Sequence, residues 1–141
     1  MTSWPSAVLV SASLLTLSAC GSLAERFSKQ ATSANEIGAV AVMKSIGAAQ
    51  VSYNLDHGQF APSLDELRPS LPSDFGSGEK NGYRFKVKGA KSSFSIEAAP
   101  TTFGSTGTRT FYTDETGVVR EHEGPEPATA ADPDIEKRLG K

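Results

Sequence analysis

An intrachain disulfide is excluded from the outset, because Cys20 is the only cysteine in 141 residues. Histidine is almost as scarce. His57 and His122 stand alone, too few and too far apart in sequence to suggest a metal centre. No apolar run is long enough to span a bilayer, since the stretch over residues 7–19 falls short of the roughly 18 to 20 residues required. Charge of one sign is missing too. Fourteen Lys and Arg against 16 Asp and Glu give a net charge of −2, which offers no polyanion-binding surface and no reason to expect nucleic acid as a partner. The Gly-x-Ser-x-Gly, His-Glu-x-x-His and Cys-x-x-Cys signatures are absent, so a hydrolase would need an unrecognised site. No catalytic residue, metal ligand or cofactor is expected. Nor is there a repeat of 20 to 50 residues, which removes solenoids and propellers.

What is present begins with Leu17-Ser18-Ala19-Cys20-Gly21. A Leu three positions before a Cys, small residues between them and Gly after it form a bacterial lipobox, closing an h-region of signal-peptide length. Residues 1–19 then read as a lipoprotein signal peptide and Cys20 as the lipidated N-terminus left after cleavage. Gly21 in place of Asp points to the outer membrane. The expected location is the cell envelope, with the membrane held through lipid on Cys20.

Residues 20–32 are small and polar without a sustained period, and read as a tether. Ser33-Ala34-Asn35-Glu36 is an S-x-x-E capping box that predicts the start of a helix. Ala39, Val42, Met43, Ile46, Ala49 and Tyr53 then follow at spacings of three and four, and Gly58 supplies the stop. His57 would sit in the last turn, where the helix dipole favours a cation. A second box at Ser63 predicts a short helical turn before Pro69. The Pro-, Gly- and Ser-rich stretch to Gly82 reads as a long surface loop without its own core.

Beyond that loop the period drops to two. Tyr83, Phe85 and Val87 alternate with Arg84, Lys86 and Lys88; Phe94, Ile96 and Ala98 mark a second strand; residues 109–113 and 118–120 supply two more. The expectation is an α+β domain, one long helix on a four-stranded antiparallel meander. Asp114-Glu115-Thr116-Gly117 reads as a hairpin turn rather than a calcium loop, because the EF-hand spacing is missing. The basic stripe of Arg84, Lys86 and Lys88 is the candidate partner-binding face. Against that stands a solvated strand face paired across to Glu97, with no aromatic interleaved among its charges. Residues 124–141 read as a flexible tail, with a helical turn near residues 134–139.

Taken in order, residues 41–53 (AVMKSIGAAQVSY), 58–67 (GQFAPSLDEL), 82–85 (GYRF), 96–100 (IEAAP) and 107–120 (GTRTFYTDETGVVR) resemble the headgroup of type IV pilins and type II secretion pseudopilins. The resemblance covers residues 33–123. It implies a long helix packed on an antiparallel sheet, in a family that forms filaments or acts in secretion. The family's short leader and hydrophobic polymerisation helix have no counterpart in this chain. The functional expectation is therefore a non-enzymatic envelope lipoprotein serving a pilus or secretion apparatus, with a divergent filament subunit as the alternative.

Overall fold

A computed structural model describes residues 17–138 and 140, with side chains described from Gly21 onward. Residues 1–16 of the expected signal peptide (1–19) and the side chain of Cys20 lie outside the described residues.

Helix α1 spans Leu17–His57, about 60 Å at 1.5 Å per residue. It begins well before the capping box, so residues 21–32 are helical and the expected helix start at Ser33 is corrected. The physical reason is that Leu23, Ala24, Glu25, Arg26, Lys29, Gln30 and Ala31 are strong helix formers, while an exposed helix needs no apolar period. Residues 21–31 are all exposed. From Thr32 onward α1 packs on the sheet, burying Ala39, Met43, Ile46 and Ala49 as the spacing predicts, with Val42 and Tyr53 partly buried. Gln50 shares that stripe and is fully buried. Its amide closes a ring with Ala61, donating to the carbonyl at 3.0 Å and accepting from the backbone N–H at 2.8 Å, so its polar atoms are satisfied without water. Gly58, at φ +70, ends the helix.

Helix α2 (Leu64–Leu67) forms where the second box predicts a turn, although the Ser63 side chain makes no capping bond. The following stretch is not a coreless loop. It contains two 3-10 turns, Arg68–Ser70 and Ser73–Phe75, and buries Phe75 against Phe85 with ring centroids 5.5 Å apart.

The sheet has five strands, one more than expected, in the order β1 (Glu79–Lys80), β2 (Tyr83–Gly89), β3 (Phe94–Pro100), β4 (Arg109–Asp114), β5 (Arg120–Glu123), with every neighbour antiparallel. The added strand β1 folds back through Asn81-Gly82, whose φ values of 53° and 72° are those of a type I′ hairpin turn. The final strand starts at Arg120, later than residues 118–120, while Val119 still reaches the core. Tyr83, Phe85, Val87, Phe94, Ile96, Ala98 and Phe111 face α1 and are buried. Each large apolar side chain so covered contributes about 1.5–3 kcal/mol.

Residues 124–138 are ordered as a strap, which corrects the flexible-tail reading. Thr110 Oγ1 donates to the Glu126 carbonyl at 2.6 Å on the outer face of the sheet. The chain then rounds the β5 edge, where Glu121 N–H donates to Pro133 O and Ile135 N–H to Val119 O, both at 3.0 Å. Helix α3 (Ile135–Arg138) returns to the α1 side and buries Ile135. The exposed edge of β5 is thereby paired.

Candidate functional site

Arg84, Lys86 and Lys88 project from alternate positions of β2 onto one exposed face, as the period of two requires. Two of the three are neutralised locally. Arg84 Nε and Nη2 both donate to Glu79 Oε1, at 2.8 and 2.6 Å, and Lys88 Nζ lies 3.1 Å from Glu97 Oε1. Nearby, Lys80 meets Asp74 at 2.6 Å, and this hydrogen bond holds the Asp74 carboxyl below its usual value. Lys86 is the stripe member with no ion pair among the described residues, even though Glu97 is its cross-strand neighbour. Glu97 leans to Lys88 instead. Tyr112, directly across from Glu97 on β4, adds the aromatic that the strand pattern did not place there; burial, then Asp114 and Glu115, raise its phenol pKa. A cavity of about 150 Å³ lies between Arg84 and Lys86 on one side and Pro125 and Pro127 of the strap on the other.

On the opposite side of the sheet α1 grips the loop before β4 with residues spaced to share a helix face. Thr32 Oγ1 reaches Ser105 O at 3.4 Å, Asn35 Nδ2 donates to Thr106 O at 3.0 Å, and Glu36 Oε1 accepts from the Thr108 N–H at 3.0 Å and hydroxyl at 2.9 Å. Glu36 Oε2 accepts from Arg109 Nη1 at 2.8 Å. Glu36 is thus no capping residue. Its carboxylate begins a chain of alternating charges that continues from Arg109 to Glu121 at 3.7 Å and from Glu121 to Arg138. Glu121 occupies the core face of β5 and is 6% exposed; its Oε2 accepts no hydrogen bond among the described residues. Arg109 and Arg138 compensate it electrostatically. The pattern that could have revealed this lattice is the polar triplet at 32, 35 and 36, which falls on one helical face.

Tyr83 closes the same region. It is fully buried, its hydroxyl donates to Arg109 O at 2.8 Å, and burial followed by the Glu36 charge pushes the phenol pKa up.

The histidines take separate roles. His57 Nδ1 donates to Tyr53 O at 3.0 Å in the last turn of α1, and the two rings stack at 4.0 Å. His122 is on the outer face of β5, with Nδ1 3.0 Å from Asp132 Oδ1 and Nε2 3.7 Å from Glu126 Oε2. The Asp132 hydrogen bond raises the His122 pKa above its ordinary 6.5, opposed by desolvation. Asp132 is lowered in return, by His122 and then by Thr129, which donates from its N–H and hydroxyl at 2.7 and 2.8 Å. Among the described residues, neither imidazole is hydrogen-bonded to a hydroxyl that it could activate.

Asp114 behaves as a turn residue: its Oδ1 accepts from the Thr116 N–H at 3.0 Å, and Gly117 follows at φ +73. Among the described residues no group of three or more His, Cys, Asp or Glu side chains converges as a metal set. No described helix is long and apolar enough to cross a membrane.

No family model, curated protein or solved structure matches the chain.

Proposed function

We propose that this chain is a lipid-anchored protein of the bacterial cell envelope, carried at the outer membrane through Cys20, whose pilin-like α+β domain binds another envelope protein of a pilus or secretion apparatus. The observation that supports it most is the continuity of α1. One helix leads from the lipobox position into the core of the domain, and its residues 21–31 are all exposed. Such a helix acts as a stalk: it fixes the distance between anchor and domain, which a coil of equal length would not do. The charge lattice from Glu36 to Arg138 then ties the stalk to the sheet, so the domain is held in a set orientation.

The test is intact-mass analysis and fractionation of the full chain alongside Cys20→Ser. The expected result is a diacylglyceryl-modified Cys20 in the membrane fraction and release of the variant. An unmodified thiol, or identical fractionation of the two, overturns the anchor. Crosslinked pull-down of the lipidated protein tests the apparatus, and recovery of no pilus or secretion component removes that part of the reading.

A second reading, a divergent pilin or pseudopilin subunit, draws on the same projecting helix. Filaments containing the chain, or processing that depends on a prepilin peptidase, would favour it.

A further inference from the structure

Opposite its core stripe, α1 carries a second stripe that repeats every seven residues. Phe27, Ala34, Ala41, Ala48 and Leu55 form one series; Leu23, Gln30, Ile37, Lys44 and Val51, each four positions ahead, form the other. All of these positions are exposed, with Leu55 at 81%, Ile37 at 71% and Phe27 at 68%. A helix face that meets only water has no need of a 3.5-residue apolar repeat. That period keeps one seam facing a partner helix.

We infer that α1 pairs through this seam with α1 of a second copy of the chain, antiparallel, to give a closed dimer. Side-chain sizes select the orientation. An antiparallel register centred between Ile37 and Ala41 sets Ile37 against Ala41, Lys44 against Ala34, and Gln30 against Ala48. Each central layer then joins an alanine to a longer side chain. The outer layers join Phe27 to Val51 and Leu23 to Leu55. A parallel pairing would instead stack alanine on alanine, leaving voids, and bring Lys44 against its own copy. Ala24, Ala31, Ser45 and Ser52 flank the seam on one side, and their small size lets the backbones approach closely.

The seam runs about 50 Å from Leu23 to Leu55 and is roughly one helix diameter wide, giving on the order of 600 Å² per partner, near the lower end of stable interfaces. An interface of this size belongs with the weaker encounters, so association is expected at roughly micromolar concentrations. Two-fold symmetry consumes the seam on both copies, so assembly stops at two and does not propagate as a filament. This inference does not depend on the lipid. Were both Cys20 residues acylated, the anchors would lie near opposite ends of the seam and lay the pair along the bilayer.

The test is sedimentation of the full-length chain in mild detergent, with Ile37→Asp and Ala41→Asp beside it. Both sites are exposed, so the thermal melts of the variants report whether the fold is intact. The expected result is a mass of two chains for the parent and of one chain for each folded variant. Orientation is read on a Cys20→Ser background, where oxidation of mixed Ile37→Cys and Ala41→Cys chains should crosslink them far more than either alone. A monomeric parent throughout the micromolar range, a dimer that survives Ile37→Asp, open-ended assemblies, or Ile37→Cys alone crosslinking as well as the mixture would each overturn the inference.

Discussion

Glu36 on α1 and Arg109 at the start of β4 meet at 2.8 Å with the Glu36 side chain only 10% exposed, and the same carboxylate accepts two hydrogen bonds from Thr108. One acid therefore compensates a cation and satisfies a backbone donor in the loop ahead of the strand. Removing it leaves Arg109 facing Glu121 alone and orphans the Thr108 N–H. Glu36→Ala should cost about 3 kcal/mol, the range for breaking a buried pair from one side. Glu36→Gln, which can still accept from Thr108, should cost about 1 kcal/mol. Urea denaturation midpoints measure both; equal losses would mean that the charge, not the Thr108 bonds, carries the effect.

Gly107 sits where any side chain would collide with the buried Tyr83. A Cβ there would lie 2.0 Å from the Tyr83 hydroxyl and 2.5 Å from its Cζ. The ring cannot yield easily, because it packs on Phe111 with centroids 5.7 Å apart and donates to Arg109 O. Gly107→Ala should cost about 1–3 kcal/mol through overpacking, and Tyr83→Phe about 1 kcal/mol through the lost bond. If Gly107→Ala melts like the parent, the loop is softer than this packing implies.

The elements legible in the sequence were those with a buried face. Met43 and Ile46 on α1, and Tyr83, Phe85, Ile96 and Ala98 on the strands, are where period alone places them, because burial imposes period. Residues 21–31 are helical but exposed, so the core-facing period that marks α1 from Ala39 onward does not reach them. The capping box at Ser33 misled for a related reason: Glu36 is drawn to Thr108 and Arg109, more than 70 residues away, and no local rule sees such a partner. β1 had a local signal in Asn81-Gly82, masked by the Pro, Ser and Gly around it. The strap from residue 124 reads as mobile by composition, yet it is held by backbone pairing to an edge strand, which composition does not report. On the candidate face, Arg84, Lys86 and Lys88 were readable as a stripe, and so was pairing across to Glu97; that Glu97 takes Lys88 and leaves Lys86 is a matter of rotamer, and the hold of Glu79 on Arg84 lay on a strand not foreseen.

The strap should respond to pH through His122 and Asp132. With the His122 pKa raised on folding, its contribution is complete below the ordinary value of 6.5 and is lost as pH rises through the higher folded value. With Asp132 lowered, its contribution is present above the ordinary 3.8 and is lost as pH falls through the lower folded value. Strap docking is thus strongest between these limits and weakens on both sides. Protection of the Glu121 and Ile135 amides, whose N–H groups bond across the strap junction, should fall on the alkaline side once exchange rates are divided by their base-catalysed intrinsic values. In His122→Gln that alkaline change should vanish. Persistence of the change in the variant would assign it to another group.

Below the concentration at which α1 pairs with a second copy, the stalk should be the least protected helix in the molecule although it is continuous with the most protected one. Over residues 21–31 it is exposed throughout, and an isolated helix of about that length is marginal in water. From Ala39 to Gln50 the same helix buries one residue per turn or more and its opening requires separation from the sheet. Hydrogen exchange should therefore rise sharply on the N-terminal side of Thr32, whose hydroxyl bonds Ser28 O at 2.8 Å and Ser105 O at 3.4 Å. Lys29→Pro separates the two regions. It removes a helical donor and clashes with the carbonyl of Glu25, so helicity should fall in the far-ultraviolet spectrum while the melting temperature of the domain stays within about 2 °C, as expected when a change lies outside the cooperative core. Uniform protection along α1, or a domain that melts early in Lys29→Pro, would mean that the stalk is covered in solution, which is what a second α1 along the Phe27 to Leu55 seam would do.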